Sequence, residues 1–281
     1  MRKKLKPIVV IGFFLTLFAI IFISGVYGNR ATAGKETTIT QSNTNPTSIG
    51  TIPSSSYYIT NALEMKPIID ISAWQRPSEI DYDTLSQNIS GAIVRIQSGS
   101  HTKNENTATD ENGLDKAFDT HIKEFQARNI PVAVYAYVTG NSIDSMKEEA
   151  RSFYEAANKY NPTFYWLDVE EHTMDDMNGG VEAFRQELES LGAKNIGIYV
   201  GIYFMEDHSI NVDKFDAIWI PTYGVDSGYY NAAPSTDLDY DLHQYTSRGY
   251  VNGFENYLDL NIITTLKDPN EVYRKLFTTP E

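Results

Sequence analysis

From Pro67 to Leu260 the chain repeats one texture: a short apolar run, a polar or amphipathic stretch, then another apolar run. The runs that read as strands are Pro67 to Ile71, Gly91 to Gln97, Pro131 to Val138, Thr163 to Val169, Ile196 to Val200, Ala217 to Pro221 and Leu242 to Thr246, with a short last one at Tyr257 to Leu260. Between them, Leu114 to Arg128, Ile143 to Tyr160 and Val181 to Leu191 carry apolar residues at helical spacing, and a tail helix is expected over Glu271 to Phe277. Strands separated by helices lie mostly parallel in one sheet. About eight such units in about 200 residues predict an α/β fold, an irregular (β/α) barrel that is TIM-barrel-like with some helices shortened or missing.

The N-terminus has a different character. Arg2, Lys3, Lys4 and Lys6 precede an uncharged apolar run from Ile8 to Ile23 that continues weakly to Tyr27. A basic flank followed by about 20 apolar residues reads as an export signal or transmembrane anchor with the basic end inside. Cleavage after Gly28 or after Ala33 fits the small-residue rule, and an uncleaved anchor fits the length. Residues 28–62 follow as a linker. Between Asn29 and Ser56, twelve of 28 residues are Ser or Thr, too polar to offset their ordering entropy by burial. The organisation expected is therefore an anchor or signal over 1–27, a spacer over 28–62 and a folded domain over 63–281, exported to the outer face of the membrane or the wall.

Residues 1–35 hold six basic residues and no acids, which leaves 17 basic and 37 acidic residues in the remainder, a net of −20. An acidic body argues against nucleic-acid binding, which needs basic patches. The chain has no cysteine, which excludes disulfides, thiolate zinc sites and a cysteine nucleophile. Its five histidines show no metal-ligand spacing, and neither metal nor cofactor is expected. Asp237-x-Asp239-x-Asp241 opens like a calcium loop but lacks the following Gly and the distant Glu, so it reads as a solvated loop. Asn88-Ile-Ser90 matches a glycosylation sequon by pattern only. His101 and His121 read as surface residues; His172 and His243 fall near strand ends.

In parallel α/β folds the chemistry gathers where strands end. The first strand ends in Asp70, the second in Arg95 and Gln97, the third in Tyr135 and Tyr137. The fourth, Thr163 to Val169, runs into Asp168 and Glu170. Tyr199, Trp219 with Tyr223, His243 with Gln244, and Asp259 with Asn261 end the others. On a strand, residues i and i+2 share a face about 6.6–6.8 Å apart, so Asp168 and Glu170 stand side by side. Such paired carboxylates suit acid/base work; acids drawn to a following helix N-terminus would look the same. Four carboxylates among Tyr, Trp and Gln resemble a carbohydrate cleft more than a metal cage.

These residues carry a resemblance. Asp70-Ile-Ser-x-Trp-Gln, Ile130-Pro-Val-Ala-Val-Tyr135, Leu167-Asp-Val-Glu170, Ile218-Trp-Ile-x-x-Tyr223, His243-Gln-Tyr-Thr-Ser247 and Leu258-Asp-Leu-Asn261 are, in this order, similar to the glycoside hydrolase family 25 muramidases, over about residues 66–266. The resemblance implies a peptidoglycan hydrolase that cuts the β-1,4 bond between N-acetylmuramic acid and N-acetylglucosamine. It implies Glu170 as general acid, Asp168 tuning it, and Asp70 and Asp259 lining the cleft. Either the substrate's acetamido group or an aspartate would act as nucleophile. Tyr135, Tyr137, Gln97, Trp219, Tyr223 and Gln244 are the expected substrate contacts, peptidoglycan strands and the membrane the expected partners, and a monomer the expected state. Two departures touch the cleft wall: Arg95-Ile-Gln-Ser-Gly99 stands where many members have Lys-Ala-Thr-Glu-Gly, and Tyr135-Ala136-Tyr137 where many have Tyr-His. The second reading is a wall-binding or assembly protein on the same fold that has lost catalysis; a third is an enzyme for another glycan of similar linkage.

Overall fold

The computed structural model describes residues 54–99 and 106–279. The apolar segment of residues 8–27, most of the Ser/Thr-rich stretch and His101 lie outside the described residues. Within them the chain runs α1 (Ser54–Glu64), β1 (Ile68–Ile71), α2 (Tyr82–Ser86), β2 (Gly91–Gln97), α3 (Phe118–Ala127), β3 (Val132–Tyr137), α4 (Ile143–Ala157), β4 (Tyr165–Val169), α5 (Met177–Leu191), β5 (Ile196–Val200), α6 (Ile202–Asp207), β6 (Ala217–Pro221), β7 (Leu242–Gly249), β8 (Leu258–Ile263) and α7 (Pro269–Phe277). The strands close into a barrel in sequence order. β1 to β7 pair in parallel, as the alternation predicts. β8 is the exception and runs antiparallel to both β7 and β1. Only residues 250–257 separate β7 from β8, too few for a parallel crossover, which needs a dozen or more.

The helices begin and end where local chemistry dictates. Ser142 caps α4 in a reciprocal box with Ser145, satisfying orphan donors of the first turn. Met146, Ala150, Phe153 and Ala157 then form its buried stripe. α5 starts four residues before the expected Val181, because Asp176 accepts from Gly179 N and begins the helix over two glycines of low propensity. Gly192, at φ +97°, ends it in the left-handed conformation that favours glycine. α3 starts at Phe118 rather than Leu114 because Asp115, just before it, is buried and bonded elsewhere. α1 was not expected: all but its last two residues fall in the stretch read as linker, and its Ala62 is buried.

Strand alternation sorts the core into two parts. Outward residues such as Ile69, Val94, Val134 and Ile198 meet the helices. Inward residues fill the lower barrel: Ile68, Ile93, Ala133, Trp166, Trp219, Leu242 and Ile263. Trp166 stacks on Phe164 at 4.9 Å and meets Trp219 edge-on at 5.6 Å. Gly197 makes room for it, since a Cβ there would lie 2.3 Å from the Trp166 ring. α7 plugs the bottom with Val272, Leu276 and Phe277; full burial of a side chain like Leu276 contributes about 1.5–3 kcal/mol. Asp241 binds α7 and the chain before it to β7: Lys267 and Lys275 each reach its carboxylate at 3.0 Å, and Asp239 pairs with Lys267 at 2.9 Å. Two acids of the calcium-like run are thus spent on ion pairs.

Candidate active site

Above the aromatic floor the inward residues become polar, and the barrel opens into a cavity of about 390 Å³. Asp70, Asp168, Glu170 and Asp259 line it together with Tyr135, Tyr137, Trp219, Tyr223 and Gln244. The sequence thus placed four carboxylates and five of its six expected contacts in one space. Gln97 is the sixth, and it does not line the cavity. The register slips between Arg95 and Gln97, and such a bulge breaks the two-residue alternation that would have pointed Gln97 inward. Its side chain is buried, with an oxygen that has no partner. Arg95, Ser98 and Tyr199 line the cavity as well; Arg95 and Tyr199 follow from strand position, Ser98 only from the bulge.

One network holds Asp70. Gln244 Nε2 donates to Asp70 Oδ2 at 2.9 Å, and Asn261 Nδ2 donates to the same oxygen at 2.8 Å. Gln244 in turn accepts from the hydroxyls of Tyr199 and Tyr223, and Asn261 accepts from Trp219 Nε1 at 2.8 Å. Each amide is oriented by an aromatic donor, so its N–H faces the carboxylate. Burial pushes the Asp70 carboxyl up to about 6, against the pull of those two amides and with help from Glu170. Asp259 has no comparable donors among the described residues. Burial, then Asp70, Asp226 and Glu170, push it up to about 8. Asp168 is also raised well above the ordinary carboxylate range, by burial and then by Glu170 and Asp70, with Arg95 opposing; its Oδ1 is buried without a hydrogen-bond partner. Environment has driven the acids of one cavity apart, the pattern that separates a proton holder from an anion.

Glu170 lies just beyond the end of β4. It is exposed by surface area, yet its carboxyl sits in a concavity, where lost hydration and then the neighbouring Glu171 raise its pKa. Glu171 is not idle on a far face: Tyr137 donates to its Oε2 at 3.2 Å, which ties it to the cavity wall.

Behind the wall, Arg95 meets the buried Asp115 at 2.9–3.0 Å. Asp115 also accepts from Ala73 N and Ala117 N, each at 2.9 Å, so one carboxylate locks the β1 loop, the start of α3 and Arg95. His121 corrects the sequence reading. It is fully buried, with Nδ1 2.6 Å from the Tyr82 hydroxyl and Nε2 3.2 Å from the Ser72 carbonyl. Burial pushes it down to about 4, so it is neutral and supports the loop after Asp70. His243 faces outward, 2.8 Å from the Thr222 carbonyl, and His172 stacks on His208 at 4.5 Å; neither lines the cavity.

Residues 69–254 match the family described as Glycosyl hydrolases family 25. The chain belongs to glycosyl hydrolase family 25. Among solved structures, a glycosyl hydrolase 25 of Streptococcus pneumoniae, GHIP, described as a virulence factor participating in host cell invasion, is 59% identical. The match covers 80% of this chain and 100% of that one, with a TM-score of 0.75. The catalytic domain of the endolysin ply40 from bacteriophage P40 of Listeria monocytogenes is 25% identical over 74% of this chain and 97% of that one, TM-score 0.64. A family 25 hydrolase from Bacillus anthracis shares the fold at 22% identity, over 76% and 94% of the two chains, TM-score 0.58. A comparison with curated proteins gives no match. As a family 25 member the chain is a glycoside hydrolase, a muramidase of peptidoglycan.

Proposed function

We propose that in this family 25 muramidase Glu170 is the general acid, Asp70 the facing anion, and Asp168 and Asp259 the groups that keep protons in the cavity. The observation that carries the assignment is the contrast between Asp70, with two oriented amide donors, and Asp168, with an oxygen that has none. Glu170 reaches into the open part of the cavity, where the leaving oxygen can approach. Its proton passes to that oxygen as the C1–O bond breaks and the bonding pair leaves with the oxygen. The positive charge developing at C1 faces the Asp70 carboxylate, and a water then adds at C1 and returns a proton to Glu170. Tyr135, Tyr137 and Tyr223 supply walls and hydroxyls for the sugars. Digesting purified sacculi and identifying the reducing-end sugar by mass spectrometry tests the reading. N-acetylmuramic acid at the new ends is expected; N-acetylglucosamine there would mean a different bond, and no release at all a binder without catalysis.

The same reading places the enzyme outside the membrane as a monomer. The basic flank and the apolar run from Ile8 to Ile23 direct export, residues 28–62 act as the spacer and residues 63–281 as the catalytic domain. Protease added to intact protoplasts should remove the domain; full protection would put it in the cytoplasm. Because Ala62 is buried, a chain beginning at Ser54 should melt higher than one beginning at Lys66, and equal melting would make α1 dispensable.

A further inference from the structure

The turn between β7 and β8 rises from the same end of the barrel as the acids, and its surface is unusual. Tyr250 and Tyr257 are 66% and 48% exposed, with ring centroids 4.8 Å apart and planes tilted by 53°. The Arg248 guanidinium lies 5.9 Å from the centre of the Tyr257 ring, and its Nε is 3.9 Å from the Asp226 carboxylate. Tyr257 precedes Asp259 by two residues. It lies just before β8 begins, at the end of the barrel that holds Asp259.

This turn is rigid. Val251 and Phe254 are buried beneath it, Phe254 bridges to Ile80, and Asp81 N donates to Gly253 O at 2.8 Å. Gly253 has φ +106°, and a Cβ there would lie 2.4 Å from Leu85 N. The segment thus buries its own anchors and leaves two aromatic rings in water on a fixed frame. Core packing does not explain those rings; they do not line the acid cavity itself but stand at the same end of the barrel, and an exposed aromatic patch there marks a binding surface beside it.

We propose that Tyr257, Tyr250 and Arg248 form a distal subsite for the uncleaved continuation of the glycan strand. The rings stack on the apolar face of a pyranose, and Arg248 donates to a carboxylate of a lactyl group or stem peptide. This rests on the muramidase reading and extends it: the cavity of about 390 Å³ takes the sugars at the scissile bond, and the shelf takes sugar beyond it. The polymer fits better than a second copy of the chain, because the acidic body, net −20 over residues 36–281, repels itself.

The test uses the full chain and purified sacculi. In a Glu170→Gln background, Tyr250→Ala/Tyr257→Ala should weaken pelleting with sacculi about tenfold, and Arg248→Ala should weaken it less and remove part of its salt dependence. With Glu170 restored, the double variant should raise KM for wall while kcat stays within about twofold. Tyr250→Phe/Tyr257→Phe should retain binding, since stacking needs the rings. Unchanged pelleting by the double alanine variant overturns the shelf. So does a loss confined to kcat, which would mean a disturbance passed to Asp259. Failure of Glu170→Gln alone to bind sacculi, with the wild type releasing nothing, overturns the muramidase reading itself, and the shelf with it.

Discussion

Asp70 on β1 and Asp259 on β8 are direct partners across the antiparallel seam that closes the barrel. Directly opposed residues on one face bring their Cβ atoms to about 4.5–5.5 Å. Two ionised carboxylates at that distance in a buried site repel, and the cavity resolves this by unequal solvation. Asp70 receives two amide donors, and Asp259 stays protonated to about pH 8. The seam that completes the fold also sets the protonation of the site.

A stability cost follows for Asp259. Its folded pKa is raised from 3.8 to about 8, so the unfolded chain ionises first as pH rises. Stability from this group is whole below about pH 4 and is lost progressively up to about pH 8. Asp259→Asn should therefore raise Tm more at pH 8 than at pH 4 while lowering wall hydrolysis. Calorimetry across that range checks it; the same change in Tm at both ends would place the effect elsewhere than in the carboxyl.

Glu170→Gln should lower turnover on peptidoglycan by about 10²–10⁴ and leave sacculus binding intact, as expected for loss of a general acid. Dye release and pelleting on one preparation separate the two quantities. Turnover near the wild-type value would move the acid to another carboxyl of the cavity.

Glu171→Gln should not be silent, although strand alternation alone places Glu171 on the face opposite Glu170. Glu171 raises the Glu170 carboxyl and accepts from Tyr137. Removing its charge lowers the Glu170 pKa, so the alkaline limb of the activity profile should move to lower pH. A pH profile of kcat/KM measures this, and an unmoved limb would mean that Glu171 does not act on the proton.

His121→Ala removes a buried ring with two polar contacts and should cost about 2–5 kcal/mol at pH 7. The loss should shrink towards pH 4. With its pKa lowered from 6.5 to about 4, native His121 contributes stability above pH 6.5 that is lost as pH falls through 4. Urea denaturation at the two pH values gives the comparison; a loss that grows in acid would contradict a neutral buried ring.

The barrel was readable because buried strands leave a strong mark: β2, β5 and β6 lie where the apolar runs predict. Asp70, Asp168 and Glu170 were readable because each ends such a run; Asp259 instead starts the antiparallel β8 and was readable through the resemblance. What escaped depends on contacts far along the chain or on broken periodicity. The bulge at Gln97 has no signature in Gly91 to Gln97. Asp115 looks like a loop acid until Arg95 and Ala73 surround it. His121 could have been found, since it stands beside Ile122 and at helical spacing from Phe125, on the apolar side of α3. α1 hides in a Ser-rich segment because, among its residues 58–64, Ala62 alone is buried.

The pairing of the first strand with the last has a consequence for synthesis. A ribosome that has made everything up to Tyr257 has produced Asp70, Asp168 and Glu170 but not Asp259 or Asn261, and β1 and β7 both still have open edges. Closure waits for contacts between the two extremes of the domain, the slowest kind to form. The acid-lined cavity is thus completed only as the domain nears full length, and a chain broken off before Leu258 lacks one of its four acids.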